Sequence, residues 1–313
     1  MNEKIRYRGR IAQTFIYLGK LLRMFVYQSD WKVLPMGAVI TAVVTLVVGT
    51  YLFVTQEGTL TGTFALTCVC IWNGFFNSIQ SVCRERSIVK REHRAGLHVS
   101  AYVAAQMLYQ LLLCLAQTVI TLIIFRLTGV KMPVVGIITP WGVVDLGITI
   151  LLVTYASDMM ALMISCLVRT TTTAMTVMPF MLIFQLVFSG TFFTLEGFAS
   201  KLSDLTISKW GLNSMCAIGR YNEQPMVTLW NTIFKFKDVD VFGQKPLLEI
   251  IQLAEKEGYR DQFLLWSGSY NQNDAFVSTA GNLLRCWGNI ALMLVVCVSV
   301  AVIALKFIDR DKR

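Results

Sequence analysis

Long apolar runs dominate the chain, and their lengths predict its elements. A helix rising about 1.5 Å per residue needs roughly 20 apolar residues to cross a hydrocarbon core of about 30 Å. Residues 35–55, 62–82, 101–125, 142–168, 174–193 and 287–305 meet or nearly meet that length. Five of these runs hold no Lys, Arg, Asp or Glu, and the fourth holds Asp145 and Asp158. The runs are continuously apolar and lack the alternation of a membrane barrel, so they predict helices. The expected fold class is all-α, with six transmembrane helices.

The segments between the runs carry patterns of their own. Ile11, Phe15, Leu18, Leu22, Phe25 and Val26 fall at helical spacing opposite Arg10, Lys20 and Arg23. That predicts a helix along the inner membrane surface, although a helix packed on a soluble partner has the same pattern. Residues 246–258 predict a second amphipathic helix. Leu247, Ile250, Ile251 and Ala254 lie on one side, Glu249, Glu255 and Glu257 on the other, and Gly258 is the stop. The chain then divides into an amphipathic segment 1–34, five spans in 35–193 with a basic loop at 83–98, an outer segment 194–281 that reads as a lid, and a last span with a basic tail at 282–313.

Composition sharpens this picture. Of 313 residues 55% are hydrophobic and 15% are charged, against about a quarter charged in a soluble domain. A disordered chain is excluded, and an ordinary cytosolic enzyme is a poor fit. The net charge of +9 has a clear location: Lys4, Arg6, Arg8, Arg10, Lys20, Arg23 and Lys32 precede the first span. Arg84, Arg86, Lys90, Arg91 and Arg94 follow the second, Arg169 follows the fourth, and Lys306, Arg310, Lys312 and Arg313 close the chain. Residues 56–61 have none. The positive-inside rule puts both termini in the cytoplasm, so the surplus is a topology signal and no nucleic-acid partner is expected. No cleavable leader is visible. The expected location is the plasma (cytoplasmic) membrane, multi-pass. Cys68, Cys70, Cys83, Cys114, Cys166 and Cys297 lie in or beside apolar runs, where Cys acts as a small apolar residue. Cys216 and Cys286 fall near the outer side, and a bridge between them is left open.

Three spans carry polar stripes: Asn73, Asn77 and Gln80; Gln106, Gln110 and Gln117; Thr154, Asp158 and Ser165. Such groups either hydrogen-bond between helices, at about 0.6–2 kcal/mol per pair, or line a wet cavity. Trp72, Phe75 and Phe76 add aromatic surface beside Asn73, whereas the glutamines read more as interhelical glue. Asp158 is a buried charge costing about 2.5–3.5 kcal/mol on insertion scales, so it must be paired, protonated or wet. Catalytic groupings are missing. His93 and His98 lack a ligand cluster, Gly19-Lys20 lacks the rest of a phosphate loop, and no Gly-x-Ser-x-Gly elbow occurs. No catalytic residue, metal or cofactor is expected on this chain, and it does not hydrolyse ATP by itself.

The loop Glu85-Arg86-Ser-Ile88-Val-Lys-Arg91-Glu92, followed by Gly96, Ser100 and Tyr102, resembles the E-R-x-x-x-x-R-E loop of ABC type-2 permeases, closest to the G-subfamily-like exporters. A second block, from Ala161 through Ser165 to Arg169, then Ala174-Met175, Pro179 and Gln185 through Ser189-Gly190 to Phe193, resembles that family's fourth-to-fifth-helix stretch. Ser208-Lys209-Trp210-Gly211 is similar to the start of its outer segment. The resemblance implies a half-transporter permease that dimerises, as homodimer or heterodimer, and is driven by a cytoplasmic ATPase. With only about 30 residues before the first span, that ATPase, with its ATP and Mg, is expected on a separate polypeptide. Glu85, Arg86, Arg91 and Glu92 are the implied ATPase-coupling residues. Asn73, Phe76, Asn77, Phe184 and Leu186 are candidates for the substrate pathway, and Thr191, Phe192 and Phe193 for an outer gate. The implied function is export, with an amphipathic or lipid-like cargo suggested. The alternative is an ATPase-coupled membrane signalling or assembly factor that moves its outer segment without carrying cargo.

Overall fold

The computed structural model describes residues 9–27, 30–49, 51–191, 197–240 and 244–307, and it is all-α. In chain order the helices are α1 (Arg10–Tyr27), α2 (Val33–Val48), α3 (Gln56–Ser78), α4 (Ser81–Arg94), α5 (Val99–Leu127), α6 (Gly142–Leu167) and α7 (Thr171–Val187). There follow α8 (Phe198–Ser203), α9 (Ile207–Ile218), α10 (Thr228–Lys235), α11 (Pro246–Lys256), α12 (Arg260–Tyr270) and α13 (Ala280–Lys306). α6 is the axis, with α3, α5, α9 and α13 packed around it and α2 resting on α3 and α5. Its approach to α3 is backbone-close. A Cβ built on Gly74 would lie 2.4 Å from the Thr154 carbonyl oxygen and 2.8 Å from the Asp158 nitrogen, so only glycine fits there.

Among the described residues four helical stretches, α5, α6, α13 and α3 continuing into α4, are long and apolar enough to cross a membrane. α2 and α7 are shorter apolar helices. The first predicted span is cut short for a local reason. α2 stops at Val48, and the chain reverses through a turn that holds Phe53 at φ 60°. Thr55 then caps α3 by accepting from the Gly58 N–H at 3.2 Å. Residues 56–61, which lie between the first two predicted runs, are therefore the first turns of α3, with Glu57 at the positive end of the helix dipole.

The expected surface helix is α1. Tyr17 and Leu21 are buried, whereas Ile11, Phe15, Leu22 and Val26 stay exposed. Its polar grip is on the α4–α5 turn. Gln13 donates to the Gly96 carbonyl at 3.2 Å and accepts from the His98 N–H at 2.9 Å.

Residues of the expected lid are tied to the start of α3. The Gln56 amide donates to the Gly268 carbonyl at 3.0 Å, and Glu57 accepts from the N–H groups of Val227 and Thr228 at 2.9 and 2.7 Å. The predicted amphipathic helix is α11, with Ile251 buried, although Ile250 remains exposed. α9 is tucked against α3, α6 and α13 and is almost wholly buried. Gln185 of α7 caps it, accepting from Ile207 and Ser208 N–H at 2.9 and 3.2 Å. Cys216 and Cys286 are free, buried thiols, which closes the question of a bridge in this structure. The Cys216 sulfur lies 3.2 Å from the Thr63 hydroxyl instead.

Candidate functional site

At 3.6 residues per turn, positions 82, 85, 86, 89 and 92 of α4 share one face and 84, 87, 88 and 91 another. Val82, Glu85 and Val89 are buried, whereas Ser87, Ile88 and Arg91 are exposed. The buried face is held by reciprocal capping. α4 has no cap of its own, and the Ser165 hydroxyl of α6 accepts from its Val82 and Cys83 N–H groups, both at 3.1 Å. In return Arg86 donates to the Cys166 and Val168 carbonyls at 2.8 and 3.0 Å, satisfying the open C-terminal end of α6. A cation there also suits the negative end of the α6 dipole. Glu85 faces α1, with Lys20 at 3.5 Å. Glu92 is half-buried, its Oε2 has no hydrogen-bond partner among the described residues, and burial pushes its carboxyl above the usual carboxylate range.

The four predicted coupling residues thus separate. Glu85 and Arg86 anchor α4 inwards, Glu92 is partly enclosed, and Arg91 is on the open face. Ser87 and Ile88 share that face, and a match by residue type does not say which side of a helix each position occupies.

The polar stripes meet at the α3–α5–α6 interface. Asn77 and Gln117 exchange a reciprocal pair of amide hydrogen bonds, each 3.0 Å. Asp158, fully buried, accepts from Ser78, from Asn77 at 3.3 Å and from the Cys114 thiol at 3.4 Å. So Asp158 is paired with neutral donors, and this set is interhelical glue. Asn73 stands apart from it. Its carboxamide oxygen faces Gly37 of α2, where a built Cβ would lie 3.0 Å away.

Where α3 bends into α4, a cavity of about 280 Å³ opens between α1, α3, α4 and α5. Phe76, Asn77, Gln80, Arg84, Glu85 and Gln106 line it, and Met175 is the contribution of α7. Phe76 and Trp72 remain partly exposed, their rings 6.0 Å apart. Of the predicted pathway residues the cavity gathers Phe76 and Asn77. Phe184 and Leu186 are half-buried further along α7, roughly 14 Å or more from Met175 by helical rise. Phe184 packs on Phe188 with centroids 4.9 Å apart. Thr191 is half-buried, with its N–H 3.3 Å from the Ser189 hydroxyl, while Phe192 and Phe193 lie outside the described residues. Gln80 and Gln106, stripe residues for which the sequence left bonding and cavity lining open, are cavity residues, and Ser81 joins them without a signal in the sequence.

Among known proteins, the model of the ABC-2 type transporter family matches residues 20–218, a stretch that contains the cavity, all of α4 and α6, and α9. No curated protein matches the chain.

Proposed function

The chain belongs to the ABC-2 type transporter family, and on that premise we propose that it is the permease half of an ATP-driven exporter, pairing with a second permease chain around a central pathway. A permease component of an ABC transporter and an integral multi-pass membrane protein are what family membership and the apolar helices establish. The finer reading is the export direction, the dimer, and a separate ATPase, with its ATP and Mg, that docks on α4.

One observation carries it: the mutual capping of α4 and α6. A short helix with a basic, partly apolar open face is bonded at its N-terminus to the axial helix of the bundle. Force applied to Ser87, Ile88 or Arg91 therefore reaches the centre of the bundle through charge-assisted hydrogen bonds, which are about twice as strong as neutral ones. In this reading α2 and α7 are short spans, completing six, and the basic flanks support a cytoplasmic position for α4. The exposed Phe76, Phe180 and Ile183 on α3 and α7 supply the wall that a second chain would close.

The test is reconstitution with the partner ATPase. Ile88→Glu with Arg91→Glu is expected to lower permease-stimulated ATP hydrolysis and co-purification at least tenfold without moving the unfolding temperature. Unchanged stimulation, or a cysteine at position 87 labelled from outside intact cells, removes the proposal.

A further inference from the structure

Two carboxylates in the first turns of different helices hold outer backbone in the same way. Glu57 of α3 accepts from the Val227 and Thr228 N–H groups at 2.9 and 2.7 Å. Asp145 of α6 accepts from the Ile137, Ile138 and Thr139 N–H groups at 2.6, 3.0 and 3.1 Å. Both are charge-assisted hydrogen bonds, the stronger kind. Beside Glu57, the Gln56 N–H donates to the Pro225 carbonyl at 3.0 Å, and its side-chain oxygen accepts from Asn271 at 3.1 Å. Thr59 donates to the buried Gln224. The Met226 N–H donates to the Leu264 carbonyl at 3.1 Å, and Trp230 of α10 packs on Phe263 of α12 with centroids 5.7 Å apart. α3 therefore carries residues 224–228, α10 and α12. On the other side, the Gly142 N–H donates to the Val134 carbonyl at 3.2 Å, so α6 carries residues 134–139.

A cleft of about 430 Å³ separates the two groups, walled by residues 131–135 and 218–224 with Phe53 between them. Among the described residues no hydrogen bond or ion pair joins these walls. Phe53 and Arg220, the two non-glycine residues with positive φ among those described, both line the cleft. Backbone held in that region is strained, and such strain gathers at switch regions.

Deeper down, α3 and α6 are clamped together. Gly74 meets the α6 backbone, Ser78 and Asn77 bond Asp158, and Ser165 caps the start of α4. About two turns outward of Gly74 the helices part. There Gly211 of α9 lies between them, its built Cβ 2.8 Å from Val153 of α6 and 3.2 Å from Thr67 of α3. A helix pair locked along its inner half keeps its freedom at the outer end.

We infer that the outer face is a hinge. α3 with residues 224–228, α10 and α12 is one rigid unit, α6 with residues 134–139 is the other, and the cleft widens and narrows as they rock about Gly74. Glu57 and Asp145 make each outer group follow its own helix. That a partner ATPase drives this motion rests on the permease reading above, whereas the division into two units stands on the chain alone.

The experiment places pairs of spin labels on the full chain in lipid nanodiscs and reads their distance distributions. Thr61, Val134 and Asn231 are exposed and serve as label sites. Thr61–Asn231 lies within the α3 unit and is expected to be narrow. Val134–Asn231 crosses the cleft and is expected to be at least twice as wide. Glu57→Ala should widen the first pair at least twofold. Gln56→Leu should act in the same direction, and it keeps the test open if Glu57→Ala does not fold. With the partner ATPase bound and nucleotide trapped, the mean distance of the second pair is expected to move while the first stays. Equal widths in the two pairs, a first pair indifferent to both variants, or any other response to trapped nucleotide overturns the inference. Failure of an ATPase to bind removes the permease reading instead, and the widths on the chain alone still decide the hinge.

Discussion

α6 and α13 are helices of nearly equal length, and their fates in the bundle are opposite. α6 carries Asp145, Asp158 and Ser165, yet 72% of its most apolar stretch is buried, against 22% for α13. In water the more polar helix would lie outside. In lipid, tails are as apolar as leucine, so polar groups gain most from turning towards one another. Hydrophobicity therefore identifies both helices as spans and gives no hint that the less hydrophobic one is the axis. What marks the axis is polar and small residues meeting polar and small residues on its neighbours, as at Gly74, Asn77 and Ser78 of α3.

The comparison breaks most visibly at its closest approach. Gly74→Val drives side-chain carbon into backbone atoms of α6 that no rotamer change can move. Overpacking of this kind costs about 1–3 kcal/mol and at times more, and the upper end is expected here. Gly288→Val on α13 meets nothing within 4 Å and should stay within about 0.5 kcal/mol of the parent. Thermal unfolding of the two variants in detergent checks the pair, and equal losses would mean that α6 is not the axis.

A smaller effect is expected at Asp158. Replacement by Leu leaves the Asn77 amide and Ser78 hydroxyl without this acceptor, a loss of about 1–3 kcal/mol, whereas Asp158→Asn keeps the shape and part of the bonding and should lose less. If the two variants unfold at the same temperature, the hydrogen bonds are not what holds α3 to α6. The smallest effect belongs to Lys20→Met. Its pair with Glu85 is partly solvent-exposed, so the expected change is below about 1 kcal/mol and shrinks further in high salt.

Much of this architecture is legible in the sequence. Run length located α3, α5, α6 and α13, and the 3.6-residue period located α1 and α11. The polar stripes were visible as stripes, but sequence spacing cannot say which stripe faces which. Asn73 and Asn77, one turn apart, go to different neighbours: Gly37 of α2 and Gln117 of α5. The end of α2 was overrun because Tyr51, Leu52 and Phe53 are as apolar as a span, and only the left-handed Phe53 and the Thr55 cap reveal the reversal. α9 gave no signal of being interior, since a short helix buried on every side has no polar face to define its period. The residues of the coupling motif fall on one helix, α4, but on both of its faces.

The place of Asp158 in chain order bears on biogenesis. α3 and α5 leave the ribosome before α6 does, so Asn77, Ser78 and Cys114 already exist when their carboxylate emerges, while α13, which sets Trp287 against Thr149 at 2.9 Å, is still to be made. A nascent chain that ends just after α6 thus already holds these three donors for the side chain that a bilayer accepts least.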